Sequence, residues 1–261
     1  MNIYEFAPIK ALISAAYWAV SALSDLLAPL TGGASAALAV IALTVLVRIV
    51  LIPVGRSQVK AGITRERIAP KLQEIQKRYQ KNPELLQRKT MELYAAEKAS
   101  PFAGCLPVLA QMPVLMAVYG LFILPEIGGE PNELLSRTFL GIPLGTGFLG
   151  QINSGGATWV SALVFLSIMA IIAVVAQFSR RLLTPPTPPQ QPRAQPQPGM
   201  PAMPDLSGMM RVMSFMPFMT AVIAAFVPLA AALYLMTTTT WTLLERLVLR
   251  KVMGATPIPR A

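Results

Sequence analysis

The sequence predicts an all-α membrane protein, and three observations support this. Of 261 residues, 54% are hydrophobic and only 13% charged, whereas a soluble domain carries about 25% charged residues. Uncharged runs near the roughly 20 residues needed to cross a bilayer recur along the chain. The net charge of +10 is unevenly spread. Residues 55–100 hold eleven Lys/Arg against five acids, while residues 125–156 hold Arg137 against Glu126, Glu130 and Glu133. The architecture expected is five transmembrane helices, an N-terminal interfacial amphipathic helix and a cytoplasmic helical hairpin.

Residues 1–33 supply the interfacial helix. Within 3–30, Lys10, Ser14, Ser21 and Asp25 recur at steps of four, seven and four, so they share one helix face. A polar stripe on an apolar helix suits the membrane interface, with Tyr17 and Trp18 at headgroup level. Glu5 and Asp25 argue against a cleaved signal peptide; a sixth span is the alternative. Thr31-Gly32-Gly33 breaks the helix.

Residues 34–54 form the first span, 21 residues or about 31 Å of helix, with Arg48 as its one charge. The hydrophilic stretch 55–100 follows. Ile68, Leu72, Ile75 and Tyr79 make a narrow apolar seam at steps of four, three and four, Asn82-Pro83 turns the chain, and a second helical pattern runs from Glu84 to Lys98. Two short amphipathic helices with facing seams make a hairpin outside the bilayer. The second span occupies 101–124, with Pro107 and Pro113 inside it. A Gly-rich, mildly acidic extracytoplasmic loop covers 125–156, and the third span covers 157–179, stopped by Arg180 and Arg181. Residues 180–210 form a cytoplasmic Pro/Gln-rich linker, extended and without packed structure.

From Val212 to Leu244 there are 33 residues without a charge. One helix of that length would measure about 50 Å, against a core of roughly 30 Å. Pro228 falls at its middle, so the run divides into a fourth span, 211–227, and a fifth, 228–245. Charge placement agrees. The hairpin, the Arg180/Arg181 linker and the 246–261 tail with Arg246, Arg250 and Lys251 all belong in the cytoplasm by the positive-inside rule, which demands an even number of crossings between residues 211 and 245.

Little in the chain can do covalent chemistry. There is no histidine and one cysteine, Cys105, which removes Ser-His-Asp and Cys-His relays, histidine metal sites and an internal disulfide. No cofactor, no metal and no enzymatic activity are expected, and a buried, inert thiol is the ordinary state for Cys105.

The candidate site is a polar constellation inside the membrane. An arginine near the core costs about 2.5–3.5 kcal/mol on insertion scales, so Arg48 is either a snorkelling side chain or a charge facing a wet cavity. Thr44 sits one turn from it, Gln111 lies at matching depth in the second span, and Gln177 is near the inner end of the third. Thr237–Thr240 and Trp241 crowd the inner half of the fifth. Each alone is ordinarily an interhelical hydrogen bond; together they describe a polar pocket open to the cytoplasm. No Asp or Glu lies within the apolar runs that make the spans, which disfavours ion-coupled transport and suggests that a partner brings the negative charge. Half of the fourteen methionines fall between Met200 and Met219, an adaptable apolar surface or an ordinary Met-rich linker.

Three stretches resemble the YidC family of membrane insertases: MELYAAEKASPFAGCLPVLAQMPVLMAVYGLF at 91–122, the single arginine Arg48 within ALTVLVRIVLIPVGRSQVK, and MPFMTAVIAAFVPLAAALYLMTTTTWTLLERLVLRKV at 216–252. The resemblance covers nearly all of 34–252 in order. It implies five core helices around a hydrophilic groove open to the cytoplasm, with Arg48 attracting acidic substrate tails and Thr44, Gln111, Gln177, Tyr234 and Trp241 as groove-lining candidates. The hairpin would receive substrate, and the second and fourth spans would release it into lipid. Implied partners are nascent membrane proteins and the lipid bilayer, with the ribosome and the Sec translocon open as further ones and no nucleic-acid specificity of its own. The implied location is the bacterial plasma membrane, with hairpin and C-terminus cytoplasmic and the N-terminal helix on the outer face. TTTTW departs from relatives, which tend to carry an Asn-containing segment there. The form expected lacks a large extracytoplasmic domain, and its short, modestly basic tail is a poor ribosome tether. A small-solute or lipid transporter, and a scaffold within a larger translocase, are the rival readings.

Overall fold

The structure is a computed structural model that describes residues 4, 6–79, 82–97, 99, 106–183 and 218–254, without the side chains of 106–111 and 114. Cys105, residues 184–210 of the expected Pro/Gln-rich linker, the first part of the expected fourth span (211–217) and all of the Met200–Met219 group except Met219 lie outside the described residues. The fold is all-α. Helices α1 (Ala7–Thr31), α2 (Ser35–Val50), α3 (Ile52–Tyr79), α4 (Pro83–Ala96), α5 (Leu106–Leu121), α6 (Phe148–Asn153) and α7 (Trp159–Leu183) are followed by a short helix, α8, at 218–223, and by α9 (Leu229–Val252).

Why these helices assemble is clearest in α7. One face buries Ser161, Phe165, Ile168, Ile172 and Ala176, while Leu163, Leu166, Ile171, Val174 and Phe178 on the other stay exposed. A helix apolar on both faces but packed on only one leaves a hydrophobic surface that water would penalise and hydrocarbon would not. Two helical stretches, Ala7–Val50 (bent at Gly32) and Trp159–Leu183, are long and apolar enough to cross a membrane.

Small residues set the spacing of α2 against α9. Ala36, Ala37 and Ala39 of α2 and Ala230, Ala231 and Ala232 of α9 are all buried, which lets two backbones approach closely. Gly32, at φ +54°, ends α1; beside it the Ser24 and Ser35 hydroxyls lie 3.1 Å apart, each satisfying the other in a buried position. Gly120 of α5 faces Ile13 and Tyr4, which brings α1 against α5.

Between α5 and α7 the loop is structured rather than merely Gly-rich. It carries two minimal antiparallel hairpins, β1 (Glu126–Ile127) with β2 (Glu130–Pro131) and β3 (Thr138–Phe139) with β4 (Ile142–Pro143). Buried Asn132 donates to the carbonyls of Leu121 (2.6 Å) and Leu124 (2.9 Å) and accepts from the Leu134 N–H, so it closes the otherwise orphaned end of α5. The first N–H groups of α9 are satisfied in the same region, Leu229 by Thr146 O and Ala230 by Leu144 O.

Helix limits differ from the sequence expectation at several points; the third span, expected to stop at 179, continues through Arg180 and Arg181 to Leu183. Helix α2 breaks at Leu51, inside the expected span 34–54, and α3 restarts at Ile52, carrying Pro53 and running unbroken to Tyr79. The expected first hairpin arm is thus a 28-residue helix continuous with the end of that span. Pro53 is tolerated because it falls in the first turn of α3, where its missing N–H has no helical partner to lose. At the other end, α9 passes residue 245 and continues to Val252. The chain does turn at 224–228, and Pro228, with ψ 149°, precedes α9.

Candidate functional site

Polarity is graded along the bundle. The continuous core joins Val20, Ala36, Ala37, Ala39, Val40, Leu121, Phe122, Leu144, Phe165, Ile172 and Leu229–Tyr234, all toward the end that carries the loop. Further along α2 and α9, toward the α3–α4 hairpin, the buried positions include Thr44 and Thr238, with Leu243 buried beyond them on α9.

Arg48 occupies the last turn of α2, half-buried. Its Nε and Nη2 both donate to the Thr238 hydroxyl of α9, at 3.0 and 2.6 Å. A guanidinium has five N–H donors, so this contact leaves three for another acceptor. Among the described residues, no carboxylate lies within ion-pair distance of Arg48. The geometry holds the cation in place without neutralising it.

Seven residues on, the same two strands of chain meet again. Gly55 packs against Glu245 of α9 so closely that a Cβ there would collide with Glu245 Oε1. Trp241 Nε1 donates to Glu245 Oε2 (3.0 Å), and Oε1 is buried without a partner. Arg48–Thr238 and Gly55–Glu245 advance together, so α2–α3 and α9 run parallel here. Farther out, Arg250 donates from Nη1 and Nη2 to the two oxygens of Glu66, at 2.7 and 2.8 Å. Those bonds hold the Arg250 guanidinium above its ordinary pKa.

The expected groove residues are distributed as follows. Thr44 is buried one turn above Arg48, but its hydroxyl donates to Val40 O at 2.7 Å. Tyr234 is buried one turn above Thr238. Trp241 engages Glu245, and Gln177 is half-buried on α7, which packs on α9. Gln111 lies in α5, and its side chain is outside those described. The threonine run contributes less polarity than its composition suggests. Thr237, Thr239, Thr240 and Thr242 each bond a carbonyl three or four residues back, the usual resolution for a helical threonine. Thr238 alone among them meets Arg48. Glu245 and Gly55 were not singled out from the sequence. The signal available was Trp241 and Glu245 four apart on one helix face. Their presence also amends the expectation of a site free of acids, because α9 carries a partly buried carboxylate beyond the arginine.

A family model described as 60Kd inner membrane protein matches residues 26–256. The chain belongs to this family. Relatives named membrane protein insertase YidC include that of Clostridium perfringens (strain 13 / Type A), 36% identical over 133 residues, 51% of this chain and 55% of the relative. That of Oceanobacillus iheyensis is 38% identical over 113 residues, 42% of each chain. Inner membrane protein PPF-1, chloroplastic, of Pisum sativum is 35% identical over 130 residues, 48% of this chain and 28% of that one. The matched part spans about half the length, or less, of these relatives. The YidC-family resemblance of the three sequence stretches is thereby upheld, and with the apolar helices it makes the chain an integral membrane protein.

Proposed function

We propose that this chain is a membrane protein insertase of the bacterial plasma membrane. Five spans at 34–54, 101–124, 157–179, 211–227 and 228–245 surround a polar groove that opens to the cytoplasm between α2, α7 and α9. The observation that carries the reading is Arg48: anchored by an uncharged hydroxyl, it keeps spare donors and a net positive charge. Attraction between it and one carboxylate at 4 Å is about 4 kcal/mol at an effective dielectric near 20, enough to hold an acidic tail transiently. The apolar helix of the substrate then partitions into lipid, and its burial there drives release. The hairpin 55–100 receives nascent membrane proteins on the cytoplasmic side.

Purified protein in liposomes, offered a single-span substrate with an acidic N-terminal tail, tests this. Arg48→Ala is expected to slow insertion at least about tenfold, equivalent to about 1.4 kcal/mol, while Leu46→Val on the exposed face of α2 leaves it unchanged. Equal insertion by Arg48→Ala refutes the groove mechanism. Solute flux without insertion replaces the proposal by a transporter, and activity that appears only with added translocase subunits replaces it by a scaffold.

A further inference from the structure

The loop between α5 and α7 divides sharply by charge. Glu126, Glu130, Glu133 and Arg137 all fall in its first part, and all are exposed. From Thr138 to Ser179 no Asp, Glu, Lys or Arg occurs. The loop portion of that uncharged stretch, 138–158, is not simply buried. Leu140 at the β3–β4 turn is 62% exposed, Leu149 and Ile152 of α6 point outward, and Trp159 at the start of α7 is 76% exposed. The same portion is tied down from within. Ile142 and Leu144 are buried, Phe148 stacks on Phe165 with ring centroids 5.4 Å apart, and Gln151 Nε2 bonds the Thr146 hydroxyl at 3.1 Å.

Leu140 adds a second kind of observation. Its φ is +53°, the one positive value on a non-glycine residue among those described. A branched aliphatic side chain is an unfavourable occupant of that backbone region, where glycine or asparagine is at ease. A water-exposed turn gains nothing from a leucine there. An apolar medium does.

We propose that residues 138–159 are a lipid-seated plug: Leu140, Leu149, Ile152 and Trp159 enter the headgroup–acyl boundary of the leaflet on the loop side, while the acidic hairpin 126–137 stays in water. The occupant is lipid because the exposed apolar side chains continue without a charged break into Leu163 and Leu166 of α7, which faces hydrocarbon in a spanning helix. Trp159 stands at the junction, the position aromatic side chains favour at a membrane interface. Neighbouring elements extend the same rim. Phe226 in the α8–α9 turn is exposed, and that turn accepts the Leu149 N–H through Ala225 O; Leu26 and Leu30 of α1 are exposed just before the Gly32–Ala34 turn, against which β3 packs. Residues seated in the interface would lie about 5–10 Å into it. The proposal rests on the chain spanning a bilayer and is independent of whether it inserts other proteins.

Single-cysteine forms of the full chain in a Cys105→Ser background test it. Glu130→Cys, Leu140→Cys, Leu149→Cys and Ile152→Cys are labelled with an environment-sensitive fluorophore in phosphatidylcholine–phosphatidylglycerol vesicles. Labels at 140, 149 and 152 are expected to emit blue-shifted light, to be quenched by lipids carrying a nitroxide high on the acyl chain, and to resist aqueous iodide. The label at 130 is expected to do the reverse. Iodide quenching at 149 and 152 equal to that at 130 overturns the proposal, even if the turn variant at 140 fails to fold. Protection that appears only at high protein-to-lipid ratio, with label-to-label energy transfer, also overturns it and assigns the surface to a second copy of this chain.

Discussion

The two carboxylate oxygens of Glu245 have unequal surroundings. One oxygen takes the Trp241 N–H and the other is pressed against Gly55 with no hydrogen bond. Gly55 is what permits this approach, since any Cβ would occupy the carboxylate's place. The obstructing atom is the end of a flexible side chain and not backbone, so Gly55→Ala should displace the carboxylate while leaving the helices in register. The expected cost is that of one hydrogen bond to a charged group, about 1.5–3 kcal/mol. Thermal unfolding in detergent should show Gly55→Ala and Trp241→Phe equally destabilised, and the double variant no worse than either. Additive losses would mean that Gly55 acts through helix packing instead. Arg48, by contrast, is served by a hydroxyl, and the difference between the two sites follows from α9: Thr238 and Glu245 lie seven residues apart, two turns of one face.

Among the elements, the α3–α4 hairpin shows how much a narrow apolar seam can organise. Ile68 is fully buried, and Leu72, Ile75 and Tyr79 are less exposed than the charged residues between them. Asn82 caps α4 by accepting the Leu85 N–H at 3.1 Å. Lys71 of α3 reaches Glu97 beyond α4 and, by hydrogen bonding first and charge second, holds its carboxyl below the ordinary value of 4.5, with Arg67 adding a smaller push in the same direction. A carboxylate with a lowered folded-state pKa contributes its stabilisation fully above that ordinary value and loses it as pH falls through the folded one. Spin labels at exposed positions Gln76 and Met91 should therefore give a narrow distance distribution at neutral pH that broadens below pH 4.5. Glu97→Gln should be broad at every pH. A distribution indifferent to both would mean that the seam alone sets the hairpin geometry.

Across the whole molecule, the two ends of the bundle are built on different terms. At the loop end, small residues and a continuous apolar core pack tightly, and the loop backbone supplies the partners that the start of α9 lacks. Gly147 is held close by backbone: a Cβ there would lie 2.9 Å from the carbonyl oxygens of both Phe226 and Val227. Those are backbone atoms of a turn and cannot swing aside. Gly147→Ala should therefore part the loop from the α8–α9 turn, at a cost of about 1–3 kcal/mol, and should admit aqueous thiol reagents to a cysteine placed at Leu144, which is otherwise fully buried. Unchanged protection there would show that the closure does not depend on this contact. At the hairpin end, the helices instead meet through Arg48–Thr238, Gly55–Glu245 and Glu66–Arg250, contacts made by polar groups in place of the apolar core.

The linear chain by itself determined the all-α class, the apolar runs, the break near Pro228, the seam of the hairpin and Arg48 as the charge to explain. These follow from solvent: twenty uncharged residues, or an apolar residue every three or four positions, leave few other ways to satisfy backbone and side chains. Only the tertiary structure decided which polar groups meet. Five threonines on one helix look alike in sequence, yet four turn back on their own carbonyls and Thr238 receives the arginine, because helix phase and the distance to α2 choose among them. The approach of Gly55 to Glu245 and the internal bonding of the loop were equally invisible. A close approach between residues 190 positions apart leaves no local pattern to read.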